Sequence, residues 1–213
     1  MLRSRITAIA ALAVVATVPF PALAHHPMGG AAPSTAWEGM VSGIAHPVIG
    51  LDHLAFLVAA GVLAAAMPHR GGVLALVAFL GAGFGGALLH LAGVGIGPVE
   101  AVVALSVLVA GATLASSSAR TPPTTLGMLA LGFAAAGLFH GHAYAEAVIG
   151  SGAMPKVAYL LTLAVMQAGI ALAVMAGVRH VEAGGSNIER QRRWVGLATG
   201  FVGALALAVA IVA

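Results

Sequence analysis

The sequence predicts an all-α fold: a polytopic membrane bundle of six transmembrane helices behind a cleaved signal peptide. Three observations lead there. Only 7% of the 213 residues are charged, against 61% hydrophobic, where a soluble domain carries about 25% charged residues. Mean hydropathy is +1.06, so lipid rather than water is the solvent this chain can face. Polar and Pro- or Gly-rich breaks then divide it into stretches of roughly membrane-spanning length. The net charge of +3 arises from nine basic residues against six acidic ones. Most of the basic residues fall in loops beside the apolar stretches, which argues against nucleic-acid binding. The chain has no cysteine, which excludes disulfides and thiolate metal sites.

Residues 1–24 read as a signal peptide. Arg3 and Arg5 form a basic start, Ile6 to Val18 a short apolar core, and Ala22-Leu23-Ala24 a small-x-small cleavage site. An uncleaved first helix is the competing reading, but the apolar run is too short to span. Residues 25–45 read as an outer arm rich in Gly, Ala, Pro and His. The six-helix transmembrane domain occupies 46–213, with spans near 46–67, 71–92, 97–116, 124–146, 155–178 and 194–213. Each approaches the roughly 20 residues that cross about 30 Å of hydrocarbon, and without water to satisfy its backbone each must be helical. Gly81-x-x-x-Gly85, Gly137-x-x-x-Gly141 and Gly196-x-x-x-Gly200 predict tight helix packing. Met128, Met166 and Met175 read as core filler, Gln167 as a helix–helix hydrogen-bonding group, and Tyr144 and Trp194 as interface anchors.

Two signals give one orientation. Cleavage after Ala24 leaves the mature N-terminus outside. Alternation then puts Arg70, Arg120, Arg179, Arg190, Arg192 and Arg193 in cytoplasmic loops and only Lys156 outside, as the positive-inside rule requires. The expected location is a bacterial inner membrane, multi-pass, with a periplasmic N-terminus.

Ionisable residues inside spans are costly and mark function. Here they are His46, Asp52, His53, His90, Glu100, His140, His142 and Glu146. With this topology all eight lie in the outer half of the membrane. His46 and His53 are seven residues apart and share a face of a straight helix, as do His142 and Glu146 at four. Asp52 lies about 100° round from His53, as a ligand or as a partner that orients one. Imidazole with carboxylate suits Ni²⁺, Co²⁺, Zn²⁺ or Cu²⁺, and affinity order does not choose among them. The expected ligands are His46, Asp52, His53, His140, His142 and Glu146. His90 and Glu100 are weaker candidates, equally readable as interface residues. His25 and His26, behind a free α-amine, form a candidate capture arm, equally readable as a disordered tail. The His46-Pro47 step also suits the first turn of a helix.

His46-Pro47-Val-Ile-Gly50-Leu-Asp52-His53 resembles the first-helix signature HPxxGxDH of the HupE/UreJ family. Phe139-His140-Gly141-His142-Ala143-Tyr144-Ala145-Glu146 resembles its fourth-helix motif, FHGxAxxxE or a close variant. The resemblance covers essentially the whole mature chain. It implies a secondary permease for nickel or cobalt, of the kind found with hydrogenase or urease genes. It further implies metal-handling roles for His46, Asp52 and His53, and for His140 and Glu146. The chain departs from the pattern at Leu57, where the family often has Met, and His142 fills a variable position.

The resulting expectation is a non-enzymatic importer of Ni²⁺, or of Co²⁺, Zn²⁺ or Cu²⁺, with no resident cofactor. Its partners would be the ion and the lipid, with a possible functional link to a nickel enzyme such as a hydrogenase or urease. An intramembrane metalloenzyme is the first alternative, but no HExxH stands on any span and no nucleophile is evident beside the cluster. An accessory protein that senses metal or docks a metalloenzyme is the second, and the short loops offer it little surface.

Overall fold

The computed structural model describes residues 31–116 and 123–212. Among them are seven α-helices and no strand: α1 (Ala36–Ile49), α2 (Leu51–Ala65), α3 (His69–Leu91), α4 (Val99–Ser116), α5 (Pro123–Ala145), α6 (Ala153–Ala183) and α7 (Glu189–Val212). A single 3₁₀ turn, Glu146–Val148, follows α5. The all-helical expectation is met. The signal segment, His25, His26 and Arg120 lie outside the described residues. Helices α3, α4, α6 and α7 are long and apolar enough to cross a membrane, and α1 with α2 makes a fifth candidate if the bent pair is one span. Helix α5, read from the sequence as the fourth span, is not in that set; its last turns carry His140 and His142.

The first expected span is not one straight helix. Helix α1 begins at Ala36, inside the segment read as an outer arm. Thr35 caps it in a reciprocal box with Glu38. It then breaks at Gly50, where the axis turns by 73° into α2. Pro47 sits in the last turn of α1, where its ring and missing N–H weaken helix continuation. A Cβ on Gly50 would lie 2.8 Å from the His53 ring, so glycine leaves the space that ring occupies.

Helix α1 packs on α6, α3 on α5 and α4 on α7, while α2 touches α3, α4, α6 and α7. The central place of α2 explains why Phe56, Leu57 and the run Ala59–Ala65 are buried. Small residues set the approaches. A Cβ on Gly137 would strike the Phe79 carbonyl, one on Gly141 the Gly83 carbonyl, and one on Gly86 the Leu138 carbonyl. Gly196 packs against Gly111 and Ala115, as expected of it. The expectation for α3 was wrong: Gly81 and Gly85 have nothing within 4 Å, and Gly83 and Gly86 make the contact instead. The GxxxG spacing alone did not show which face of α3 meets α5. Met175 is in the core, but Met128 is 72% exposed and fills none.

Arg179 closes the far end of α2. Its guanidinium donates to the carbonyls of Ala64 (3.1 Å) and Met67 (2.9 Å) and lies 2.6 Å from His69 Nδ1. Carbonyls at a helix C-terminus lack intrahelical partners, and a hydrogen bond to a charged group contributes about 1.5–3 kcal/mol. Arg179→Ala is expected to lower the melting temperature of the purified protein by several degrees. Arg179→Lys, which keeps a donor for the carbonyls but lacks the second nitrogen that meets His69 Nδ1, should recover only part of the loss; melting curves in detergent would check both.

Candidate metal-binding site

The bend at Gly50 builds the site. Seven residues of straight helix would separate His46 and His53 by about 10 Å along the axis. Folded at Gly50, their ring centroids stand 5.7 Å apart. His140, on α5, completes a buried group of three imidazoles: its Nδ1 is 2.9 Å from His53 Nδ1, and all three residues are at most 3% exposed.

Surrounding hydrogen bonds fix where the protons sit. The Ser106 hydroxyl donates to the Val103 carbonyl at 2.7 Å. Its oxygen therefore accepts from His140 Nε2 at 2.9 Å, and the His140 lone pair is on Nδ1, facing His53. Likewise the Tyr159 hydroxyl donates to the Tyr144 carbonyl at 2.7 Å and accepts from His46 Nδ1 at 2.7 Å, which leaves the His46 lone pair on Nε2. Partners of this kind hold a ligating imidazole in one tautomer and one orientation.

Asp52 stands in the first turn of α2, where the positive end of the helix dipole favours a carboxylate. Its Oδ1 accepts from the His53 backbone N–H at 2.8 Å. The structure thus shows Asp52 bracing the backbone that carries His53.

Tyr144 is a correction. Read as an interface anchor, it is fully buried, with its ring stacked on His53 at 4.1 Å and edge-on to His46 at 5.0 Å. It stands four residues beyond His140 on α5 and so shares its face, a signal the sequence did carry. Its hydroxyl points toward buried Gln167 without completing a hydrogen bond. Phe56 lies 4.5 Å from the His140 ring, and Phe79 is 5.1 Å from Phe56. Phe133 joins them at 6.4 Å from Phe56. These rings close the site toward the α2 C-terminus.

The remaining expected ligands stand elsewhere. His142 leaves α5 about 200° round from His140 and meets α3, with its Nδ1 3.0 Å from His90 Nδ1. Glu146 Oε2 lies 2.9 Å from His90 Nε2. Glu146 is the carboxylate that meets His90; Glu100 is exposed in the first turn of α4. The eight ionisable groups therefore do not form one cage. Among the described residues no three His, Asp or Glu side chains are placed to hold one metal ion; the ready-made elements are two histidine pairs. Ser106 and Tyr159 escaped the sequence reading. A lone serine in an apolar helix gives no signal, whereas a tyrosine inside a span gives a weak one.

Comparison with known proteins agrees with these motifs. A family model described as HupE / UreJ protein matches residues 12–207. Protein HupE of Rhizobium leguminosarum bv. viciae is 32% identical over 138 residues, which cover 65% of this chain and 64% of that protein, just under two thirds of its length. No solved structure matches. The chain, which carries both motifs on the helices that form the buried histidine group, belongs to the HupE/UreJ family.

Proposed function

We propose that this chain is an inner-membrane permease that imports a divalent transition-metal ion, Ni²⁺ foremost and Co²⁺ next. The observation that carries the reading is the His53–His140 pair, buried in an apolar bundle with a lone pair of His140 aimed at His53. Imidazole nitrogens are borderline ligands suited to these ions. Burying such groups in a membrane bundle is costly unless they serve a cavity, an ion or each other. A site in which the pair presets only one lone pair, that of His140 Nδ1, also suits transport, because cargo must leave as well as enter. His46, through Nε2, and Asp52 are the groups that would complete coordination after a small movement. The family resemblance to permeases found with hydrogenase or urease genes supports nickel as cargo and a nickel enzyme as its consumer.

The same reading has six crossings, with the bent α1–α2 pair as the first and α5 as the fourth, and the His25 end in the periplasm. Arginines gathered near the helix ends on one side support it. The histidine group then lies in the periplasmic half of the bundle. The layer of Phe56, Phe79 and Phe133 seals the inner side, and release requires that layer to part. Cells lacking their own nickel importers are the test. Expression of the chain should raise accumulation of radioactive Ni²⁺ above the empty vector, with Co²⁺ competing. No accumulation, with the protein confirmed in the membrane, would overturn the reading.

A further inference from the structure

Helix α6 turns one stripe into the bundle: Tyr159, Leu163, Gln167, Ala171 and Met175 are buried at four-residue steps. Tyr159 is engaged there, between His46 and the Tyr144 carbonyl. Gln167 lies eight residues on, about 12 Å further along the axis, and is 6% exposed. Burying a carboxamide in an apolar bundle is costly without polar partners. The group turned toward it is the Tyr144 hydroxyl. That hydroxyl is fully buried and completes no hydrogen bond among the described residues, a shortfall of about 1–3 kcal/mol. A phenylalanine would stack on His53 without that cost, so packing alone does not account for the hydroxyl.

A water-sized space adjoins the pair. Gln167 lines a crevice between α3, α5 and α6, together with Phe79, Gly137, Gly141 and Leu163. The crevice has room of about 30 Å³ for water, where one molecule needs roughly 10–15 Å³. Phe79 belongs both to this crevice and to the aromatic layer that closes the histidine group. Two polar side chains thus meet at the edge of that layer. Tyr144 touches the histidines, with its ring stacked on His53 at 4.1 Å, and Gln167 touches the crevice. A helical side chain leans toward the N-terminus of its helix. With α5 running outward, as the permease reading has it, Tyr144 therefore leans inward, past the imidazoles.

We propose that Tyr144 and Gln167 form a release station: a pair of neutral oxygen donors that takes the ion from His53 and His140 and passes it beside Phe79 on the α6 side of the aromatic layer. The role rests on the permease reading. The phenol oxygen and the carboxamide oxygen offer lone pairs to the ion or to the water it carries. Neutral oxygens hold a late transition-metal ion less firmly than imidazole does. A step from nitrogen to oxygen is therefore a step toward release, which a pathway needs as much as it needs capture. It also gives the parting of the layer a place, at the Phe79 edge where Gln167 stands.

The test is the rate of radioactive Ni²⁺ uptake per protein molecule in the membrane, against Ni²⁺ concentration, for wild type, Tyr144→Phe and Gln167→Leu. Co²⁺ binding and melting curves of the same full chains in lipid nanodiscs accompany it. Both variants should lower the maximal rate about tenfold, the equivalent of one lost polar contact, without raising the half-saturating concentration. Co²⁺ binding should stay within a few-fold of wild type, because His53 and His140 are untouched and Tyr144→Phe keeps the stacked ring. Tyr144→Phe should melt no lower than wild type, since no hydrogen bond is lost with the hydroxyl. Wild-type uptake with the same maximal rate in either variant would overturn the release role and leave the permease reading standing. Loss of Co²⁺ binding by Tyr144→Phe would also overturn it, by making the hydroxyl part of capture. If Gln167→Leu does not fold, Gln167→Met, unbranched and of similar length but without the amide, takes its place. No uptake by wild type would remove the permease reading, and the release role with it.

Discussion

His53→Ala is expected to reduce radioactive Ni²⁺ accumulation to the level of cells without the protein, while the protein stays in the membrane. His53 is the partner of His140, a buried imidazole whose lone pair is fixed from outside, through Ser106. Its removal leaves His140 alone against an apolar layer of phenylalanines, and a single neutral nitrogen cannot strip an ion of its water. The substitution is mild for the fold, because the Asp52 bond is to the His53 backbone and survives. A graded control separates ligand from support. Tyr159→Phe leaves every imidazole in place but frees the tautomer and orientation of His46, and should cost about 10–100-fold in metal affinity. Uptake and immunodetection in the same membranes check both. Wild-type uptake by His53→Ala would remove the buried pair from the pathway.

That experiment turns on an arrangement only partly legible in the sequence. Membrane helices were legible because composition is decisive: a chain with 7% charged residues has little alternative. The ionisable residues were legible because each is anomalous in an apolar span. Their partition was not. Helical phase assigned His46 and His53 to one face of a straight helix, but Gly50 breaks that helix by 73°, and the contact that results is across a bend. His140 and His142 were read as one group, although two residues on a helix point nearly opposite ways. That phase was available, and it is what divides the pair facing α2 from the pair facing α3. The roles of Ser106 and Tyr159 depend on which helices become neighbours, and local pattern carries no such information.

The helix neighbours are themselves set by glycine, which leads to the largest expected effect on folding. Gly141→Leu should abolish monodisperse protein on size exclusion, whereas Gly81→Leu should leave it unchanged. Both are glycines in apolar helices, both lie in a GxxxG spacing, and leucine is welcome in lipid. They differ in what stands opposite. A Cβ at Gly141 falls on the Gly83 carbonyl, while one at Gly81 meets nothing within 4 Å. Overpacking a tight contact typically costs 1–3 kcal/mol even where side chains can shift; here the obstacle is backbone, so α3 and α5 must part. Their separation would also pull His142 from His90 and move His140 relative to α2, because both histidines flank Gly141 on α5. A Gly141→Ala variant that still folds should therefore lose metal binding before it loses its helices. Circular dichroism and Co²⁺ spectra on one preparation would show that order, and Gly141→Leu protein as monodisperse as wild type would show that the α3–α5 contact is not what holds the two histidine pairs in place.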